Sequence, residues 1–89
     1  MNFEWDPRKA AQNERKHRVT FDEAMTVFAD CESITVPDPD HSVDEERFLI
    51  VGSSSRGRVL VVSHAERGEN VRIISARRAD ARERRKHGK

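Results

Sequence analysis

The apolar positions of the chain follow a helical period in residues 19–30 and a strand period in the segments after residue 33. In VTFDEAMTVFAD, residues 19–30, apolar side chains recur three and four positions apart, which predicts an amphipathic helix. Thr20 and Glu23 have the S/T-x-x-E spacing of a capping box, which marks the start of this helix. An earlier helix is predicted in DPRKAAQNERKH, where Asp6 is the N-cap and Pro7 the first helical residue.

Short apolar segments predict the strands. They are NFEW, ITV, RFLIVGS, RVLVVSH and VRIISA. Short connections that contain Gly57 and Gly68 join the last three segments, which predicts antiparallel neighbours in a meander. The order β-α-α-β-β-β-β-α predicts an α+β fold, in which an antiparallel sheet carries the two N-terminal helices on one face. A basic helix or tail, residues 79–89, ends the chain.

The length and the charge distribution refine this picture. Eighty-nine residues suit a single domain, residues 1–89, with one modest core. Residues 72–89 hold eight Lys or Arg against Asp80 and Glu83, a net charge of +6. Residues 1–71 hold nine against fourteen acidic residues, a net charge of −5. A basic end on an acidic protein favours an anionic partner such as nucleic acid, although both ends could simply be solvated.

Several kinds of protein and site are not favoured. Cys31 is the one cysteine, so no disulfide can form within the chain. The N-terminus lacks the apolar segment of a signal peptide, and no apolar run approaches the ~20 residues that cross a bilayer. We therefore expect a cytoplasmic protein that does not bind membranes. The segment DPDHSVDEE contains one histidine and does not match a calcium loop, so it predicts a solvated loop, and we expect no metal and no cofactor.

A series of short motifs resembles one family along nearly the whole chain. The motifs are FEWDPRKA, N--KH-V-F-EA, DPDHS--EERF, SSRGR-LVV-H-ERG and RIISARRA--RER. At these spacings the series resembles the BrnT toxins of bacterial toxin–antitoxin systems. The resemblance implies a RelE-like fold, metal-independent cleavage of RNA that halts translation, and a hetero-oligomer with a ribbon-helix-helix antitoxin. This sequence departs from the family at Arg18, where a glycine is usual after the KH pair. A left-handed arginine there would cost about 1 kcal/mol.

Metal-free cleavage of RNA needs a base near the 2′-hydroxyl, a proton donor for the leaving oxygen, and cations around the phosphate. Tyrosine is absent, and histidine is the natural proton carrier. Of the four histidines, His64 is the first candidate because it ends the strand RVLVVSH and is held rigidly there. The alternative is a structural histidine bonded to a neighbouring strand or turn.

Arginines are the candidate phosphate ligands because guanidinium groups bind phosphate in a bidentate way and stay charged. Arg77 and Arg78 end the last strand, and Arg67 lies in the turn after His64. Alternation sends Arg77 and Arg78 to opposite faces, so we expect only one of them to share a site with His64. The alternative is that they pair with carboxylates such as those of Glu45, Glu46 or Glu66.

Further cations could contact RNA away from the reacting phosphate. Lys16 and His17 end the first predicted helix, and Arg82 and Arg85 lie in the basic tail. The helix dipole alone also explains cations at a helix end. A non-catalytic module that binds nucleic acid or a protein partner through the basic C-terminal surface therefore stays open as a second function.

Overall fold

Two helices follow the first strand, and each begins where its capping residue predicts. The computed structural model describes residues 1–41 and 45–87. Helix α1 is Pro7–His17, and the Asp6 side chain accepts the Arg8 N–H at 2.8 Å. Helix α2 is Phe21–Thr26, and a 3₁₀ turn, Val27–Ala29, extends it. The apolar period of residues 19–30 therefore corresponds to a short α-helix and a tighter turn.

The capping box at the start of α2 is only half formed. The Thr20 Oγ1 accepts the Glu23 N–H at 3.1 Å, as predicted. The Glu23 carboxylate does not return to the Thr20 backbone, because it accepts from the Ser54 hydroxyl at 2.7 Å and from the Arg58 guanidinium. The hydrogen bonds from Arg58 are the main cause that lowers the pKa of Glu23. This buried ion pair joins α2 to the hairpin between the third and fourth strands.

Arg18 adopts the left-handed conformation that was considered for it from the sequence. Its φ is 59°, and its N–H donates to the Glu14 carbonyl at 2.9 Å, which closes α1. The Arg58 Nη2 donates to the Arg18 carbonyl at 3.2 Å. The turn between α1 and α2 thus keeps the left-handed geometry without a glycine.

Five strands form one sheet in the order β1-β5-β4-β3-β2. They are β1 Asn2–Glu4, β2 Ile34–Pro37, β3 Arg47–Ser53, β4 Val59–Arg67 and β5 Asn70–Arg78. Strands β3 to β5 form the predicted antiparallel meander, and β2 pairs antiparallel with β3. The prediction of a wholly antiparallel sheet was wrong, because β1 pairs in parallel with β5. The local pattern of a three-residue strand does not encode its direction, which here follows from tertiary contacts such as that between the rings of Phe3 and Phe28.

Strand alternation gives the sheet two different faces. We call the face that packs on α1 and α2 the helix face. Its core comprises Ile50, Leu60, Val62, Ile73 and Ala76 together with Val19, Phe21, Ala24 and Val27. We call the opposite face of the sheet the arginine face. Its polar residues are Arg47, Ser63, Arg67, Arg72, Ser75 and Arg77, and its apolar residues include Ile34, Val36, Leu49, Val51 and Val61.

The C-terminal helix lies across one end of the arginine face. Helix α3 is Ala81–Lys86 and starts with a complete capping box between Asp80 and Glu83. With His87 it borders a cavity of 190 Å³ whose apolar wall is Ile34, Val36, Leu49, Val51 and Val61. The sequence, in which this segment has no apolar face, left open whether it is an ordered helix. The structure has a helix over Ala81–Lys86, and His87 Nε2 lies 2.7 Å from Asp30 Oδ2. Among the described residues, no helix is long and apolar enough to span a membrane.

Candidate nucleic-acid interface

Cationic and hydroxyl side chains lie in successive rows across the arginine face. Residues directly opposite each other on paired strands share a face of the sheet. Arg47 lies opposite Ala65, and Ala65 lies opposite Arg72, so the two arginines flank one small residue. The next row contains Ser63 opposite Ser75, and the row after it contains Arg77. The face therefore offers guanidinium groups at both ends of a hydroxyl-bearing centre.

Arg72 is held in place by an acidic partner. Its Nη2 forms an ion pair with Glu45 Oε1, and both side chains are partly buried. Within residues 1–41 and 45–87, the Arg72 Nε is buried and has no hydrogen-bond partner. The ion pair with Glu45 leaves this Nε covered, so Arg72 could donate to a ligand only through its terminal Nη groups. Arg47 and Arg72 were not singled out from the sequence, although strand register would have placed them together.

Arg77 is paired with a carboxylate of α3. Its Nη1 and Nη2 donate to the two Glu83 oxygens at 2.9 and 2.8 Å. These bonds are the main cause that lowers the pKa of Glu83 to about 2 and raises the pKa of Arg77. The sequence suggested carboxylate pairing through Glu45, Glu46 or Glu66, but the partner of Arg77 is Glu83.

Arg78 and Arg67 lie apart from this pair. Arg78 is exposed and opposite Leu60, which places it on the helix face, so alternation separates Arg77 and Arg78 as predicted. Arg67 is exposed at the end of β4, opposite Asn70. Alternation along β4 places Arg67 on the arginine face, beyond the row that contains Arg72.

His64 is enclosed in the helix face. Only 3% of it is exposed, and its ring lies 4.9 Å from the Phe28 ring and 5.8 Å from the Phe48 ring, centroid to centroid. Burial lowers the pKa of His64, which favours the neutral imidazole. His64 lies opposite Ile73 and on the other face from Arg77, so the structure does not bring the two together. Its role in catalysis stays a prediction, and contact with RNA would require this part of the core to open.

Lys16 and His17 lie beside the edge of β5. A cleft of 260 Å³ separates α1 from this edge, and it is lined by Lys9, Gln12, Asn13, Lys16, His17, Ile74 and Ser75. Asn13 closes one end of the cleft by pairing with Ala76 as a neighbouring strand would. Its Nδ2 donates to the Ala76 carbonyl at 2.8 Å, and its Oδ1 accepts the Ala76 N–H at 3.0 Å. Ser75 belongs both to this cleft and to the arginine face, so the two surfaces are continuous.

The sequence contains a pattern that indicates one wall of this cleft. Lys9, Gln12 and Lys16 are spaced by three and four residues, which places them on one side of α1. The cleft joins them to β5, and only the fold reveals that neighbour. Arg82 and Arg85 are exposed on α3, whereas Lys89 lies outside the described residues.

The loop after β2 carries a histidine–aspartate pair. His41 Nδ1 lies 3.0 Å from Asp38 Oδ2, and Asp44 of the same sequence motif lies outside the described residues. In the part of the chain that the structure describes, no three His, Cys, Asp or Glu side chains are grouped so that they could hold a metal ion.

Comparison with known proteins identifies a family and a similar solved structure. The crystal structure of the Brucella abortus ribonuclease toxin BrnT, at 1.1 Å resolution, is similar with a TM-score of 0.71 and 22% identity. The alignment covers 90% of this chain and 97% of that chain, and at this identity it shows a shared fold. No curated protein matches the sequence. Residues 5–83 match the family described as ribonuclease toxin, BrnT, of type II toxin–antitoxin system. That match spans most of the chain, and the chain therefore belongs to the BrnT family of ribonuclease toxins.

Proposed function

We propose that this protein is a metal-independent endoribonuclease that binds RNA on the arginine face. A family of ribonuclease toxins implies RNA as the target and an antitoxin as the partner. The observation that carries the proposal is the row of Arg47 and Arg72, one row from the hydroxyls of Ser63 and Ser75. Guanidinium groups fixed on a sheet suit a phosphodiester, because they donate two parallel hydrogen bonds and stay charged.

Cleavage would proceed by attack of the RNA's own 2′-hydroxyl on the adjacent phosphorus. The bond from the 2′-oxygen to phosphorus forms while the bond to the 5′-oxygen breaks, which leaves a 2′,3′-cyclic phosphate. Negative charge grows on the phosphate oxygens in the transition state, and guanidinium groups already in position would stabilise it. Arg72 would take this role through its terminal Nη groups, because its side chain is 29% exposed and is held by Glu45.

The other predicted site residues take different parts in this proposal. Arg77 would contact a second phosphate at the far end of the face after exchanging Glu83 for it, and Arg67 would extend the face beyond Arg72. Arg78 lies on the opposite face, so it would contact RNA only where the RNA strand extends past the end of β5. The burial of His64 favours a structural role for its ring.

The outlying cations would guide the strand. Lys16 and His17 border a cleft that meets the arginine face at Ser75. Arg82 and Arg85 are exposed on α3, which lies across the other end of that face. Such cations bind phosphates without reading the base sequence.

We further propose that cleavage halts translation in the cytoplasm and that a ribbon-helix-helix antitoxin neutralises the toxin in a hetero-oligomer. An antitoxin that covers the arginine face would inhibit by occupying the RNA site. The RelE-like character of the fold belongs to the same proposal and is supported by the helix-backed antiparallel meander.

The test is cleavage of a labelled RNA by the purified protein in the presence of EDTA. We expect fragments that end in 2′,3′-cyclic phosphate, at a rate that chelation does not change. Activity that EDTA abolishes and Mg²⁺ or Mn²⁺ restores would overturn the mechanism. Binding without cleavage would favour the non-catalytic module instead.

A further inference from the structure

We propose that His41, oriented by Asp38, is the proton carrier of the arginine face. This inference rests on the proposed ribonuclease function. It names a general base for the reaction, which the arginines and serines of the arginine face do not supply. The base must lie beside the phosphate ligands and reach solvent. Four observations support His41 for this role: the register of Asp38, the hydrogen bond between the two side chains, the exposure of the imidazole, and the positions of the other histidines.

The register of β2 places Asp38 in the same row as the arginines. Strand β2 ends at Pro37, which lies opposite Phe48. The Asp38 N–H then donates to the Arg47 carbonyl at 2.8 Å, so antiparallel contact with β3 continues for one more residue. Because Pro37 and Phe48 share the helix face, alternation turns Asp38 and Arg47 to the arginine face. The row therefore reads Asp38, Arg47, Ala65 and Arg72 across four neighbouring segments.

The hydrogen bond between the two side chains orients the imidazole. Asp38 Oδ2 lies 3.0 Å from His41 Nδ1 and accepts the proton carried by that nitrogen. The Asp38 side chain is 13% exposed, whereas that of His41 is 67% exposed. A carboxylate that accepts from Nδ1 leaves the lone pair on Nε2, which is the nitrogen free to accept a proton from a substrate. Asp38 acts through His41 and is thus a positioning residue.

The turn between them fixes this arrangement over three residues. The 3₁₀ turn Pro39–His41 follows Asp38 directly, and the His41 N–H donates to the Asp38 carbonyl at 3.3 Å. The prolines at positions 37 and 39 restrict the backbone on both sides of Asp38. The imidazole is therefore tied to the end of β2 through a short and stiff connection.

The other histidines are less suited to this role. His64 is buried on the opposite face, and His87 is mostly covered, with Nε2 bonded to Asp30. His17 lies in the α1 cleft, on the side of Ser75 away from Arg47. His41 combines an exposed nitrogen, an orienting carboxylate and a link to Arg47 through the backbone of Asp38.

The proton movements balance without a further reagent. His41 Nε2 accepts the proton of the 2′-hydroxyl as the 2′-oxygen bonds to phosphorus. The bond from phosphorus to the 5′-oxygen breaks, and the 5′-oxygen takes a proton from water. The imidazolium that forms is stabilised by Asp38 and returns its proton to the hydroxide left by that water.

The experiment measures single-turnover cleavage of a labelled RNA together with RNA affinity. His41→Ala and His41→Gln should each slow cleavage by about 10²–10⁴-fold, the usual contribution of a general base, and leave the Kd for RNA unchanged. Asp38→Asn should slow cleavage less, and its effect should vanish in the His41→Ala background. Asp40→Asn removes the same charge from an exposed neighbour in the same turn and serves as the matched control, with wild-type rate expected.

The pH profile separates proton transfer from a structural effect. A general base works only in its deprotonated form, so the wild-type rate should rise with pH, and this rise should be absent in His41→Gln. The inference would be overturned if His41→Gln cleaved RNA at the wild-type rate. It would also be overturned if this variant cleaved slowly only because it bound RNA more weakly and kept the pH dependence of the wild type. The ribonuclease function would stand in both cases. Absence of cleavage by the wild type would instead overturn the function itself.

Discussion

The two faces of the sheet are built from alternate residues of the same strands, yet they have opposite characters. On β4, Leu60 and Val62 point into the helix-face core and are fully buried, whereas Ser63 is half-buried on the arginine face. On β5, Ile73 and Ala76 are buried, and Ser75 between them is exposed. The difference teaches that strand alternation can give a thin domain one apolar face that stabilises it and one cationic face that is available to an anionic partner.

The comparison also shows which part of the arginine face α3 covers. Val61 belongs to the arginine face but is only 3% exposed, because α3 and the adjoining strands cover that end. Ile34 and Val36 on the edge strand remain 41% and 44% exposed. The arginine face thus has an end beneath α3, where Arg77 lies beside the apolar residues, and an opposite end that carries Arg47 and Arg72.

The largest expected effect is loss of stability from a truncation in the helix-face core. Leu60→Ala removes a fully buried side chain and should lower the free energy of unfolding by about 2–5 kcal/mol. Ser75→Ala, on the exposed arginine face of the neighbouring strand, should change it by less than about 0.5 kcal/mol. Urea denaturation measures both. Equal effects from the two variants would mean that the faces do not divide stability as described.

A loss of catalysis without a large loss of stability is expected on the arginine face. Arg72→Gln should slow RNA cleavage by about 10²–10³-fold, as loss of an oxyanion donor does. Arg78→Gln removes the same charge from the helix face of the same strand and should have a smaller effect. Single-turnover cleavage and thermal melting give the two quantities. A larger loss of cleavage rate from Arg78→Gln than from Arg72→Gln would indicate that RNA binds on the helix face.

A smaller effect concerns the buried imidazole of the helix face. Burial lowers the folded-state pKa of His64 below its ordinary value of 6.5. The unfolded chain therefore takes up a proton below about pH 6.5 that the folded chain does not, and stability falls as the pH drops from there towards the lowered pKa. His64→Phe keeps an aromatic ring between Phe28 and Phe48 and should remove this part of the pH dependence.

The measurement is urea denaturation of both proteins at several pH values between 5 and 8. The quantity compared is the change in unfolding free energy with pH, because the absolute stability of His64→Phe also includes repacking around a larger ring. A slope below pH 6.5 that is identical in the two proteins would show that His64 titrates normally and is not enclosed.

Local patterns predicted most of the fold but less of the site. Asp6, Pro7 and Thr20 mark the helix starts, because capping is a local interaction. The parallel direction of β1 and the position of α3 depend on distant contacts, which the local sequence does not encode. The antiparallel order of β3 to β5 follows from short turns and was predicted.

The site was harder to predict because its residues meet through cross-strand register. Arg47 and Arg72 share a row, but a third strand and more than twenty positions in the chain separate them. His64 was singled out for its place at a strand end, whereas its burial depends on Phe28 and Phe48 from two other elements. Alternation did separate Arg77 from Arg78, since that inference requires only a continuous strand.

The smallest expected effect belongs to the exposed side of α3. Arg82 and Arg85 point to solvent, while Glu83 on the same helix holds Arg77. The double variant Arg82→Gln and Arg85→Gln keeps this ion pair and the cover over Val61, which deletion of the helix would remove. If both side chains bind phosphates of single-stranded RNA, the log–log slope of affinity against salt should fall by about 0.7 for each phosphate that the variant no longer binds. Fluorescence anisotropy over a salt series measures this slope, and an unchanged slope would leave α3 as a cover for the sheet with no part in RNA binding.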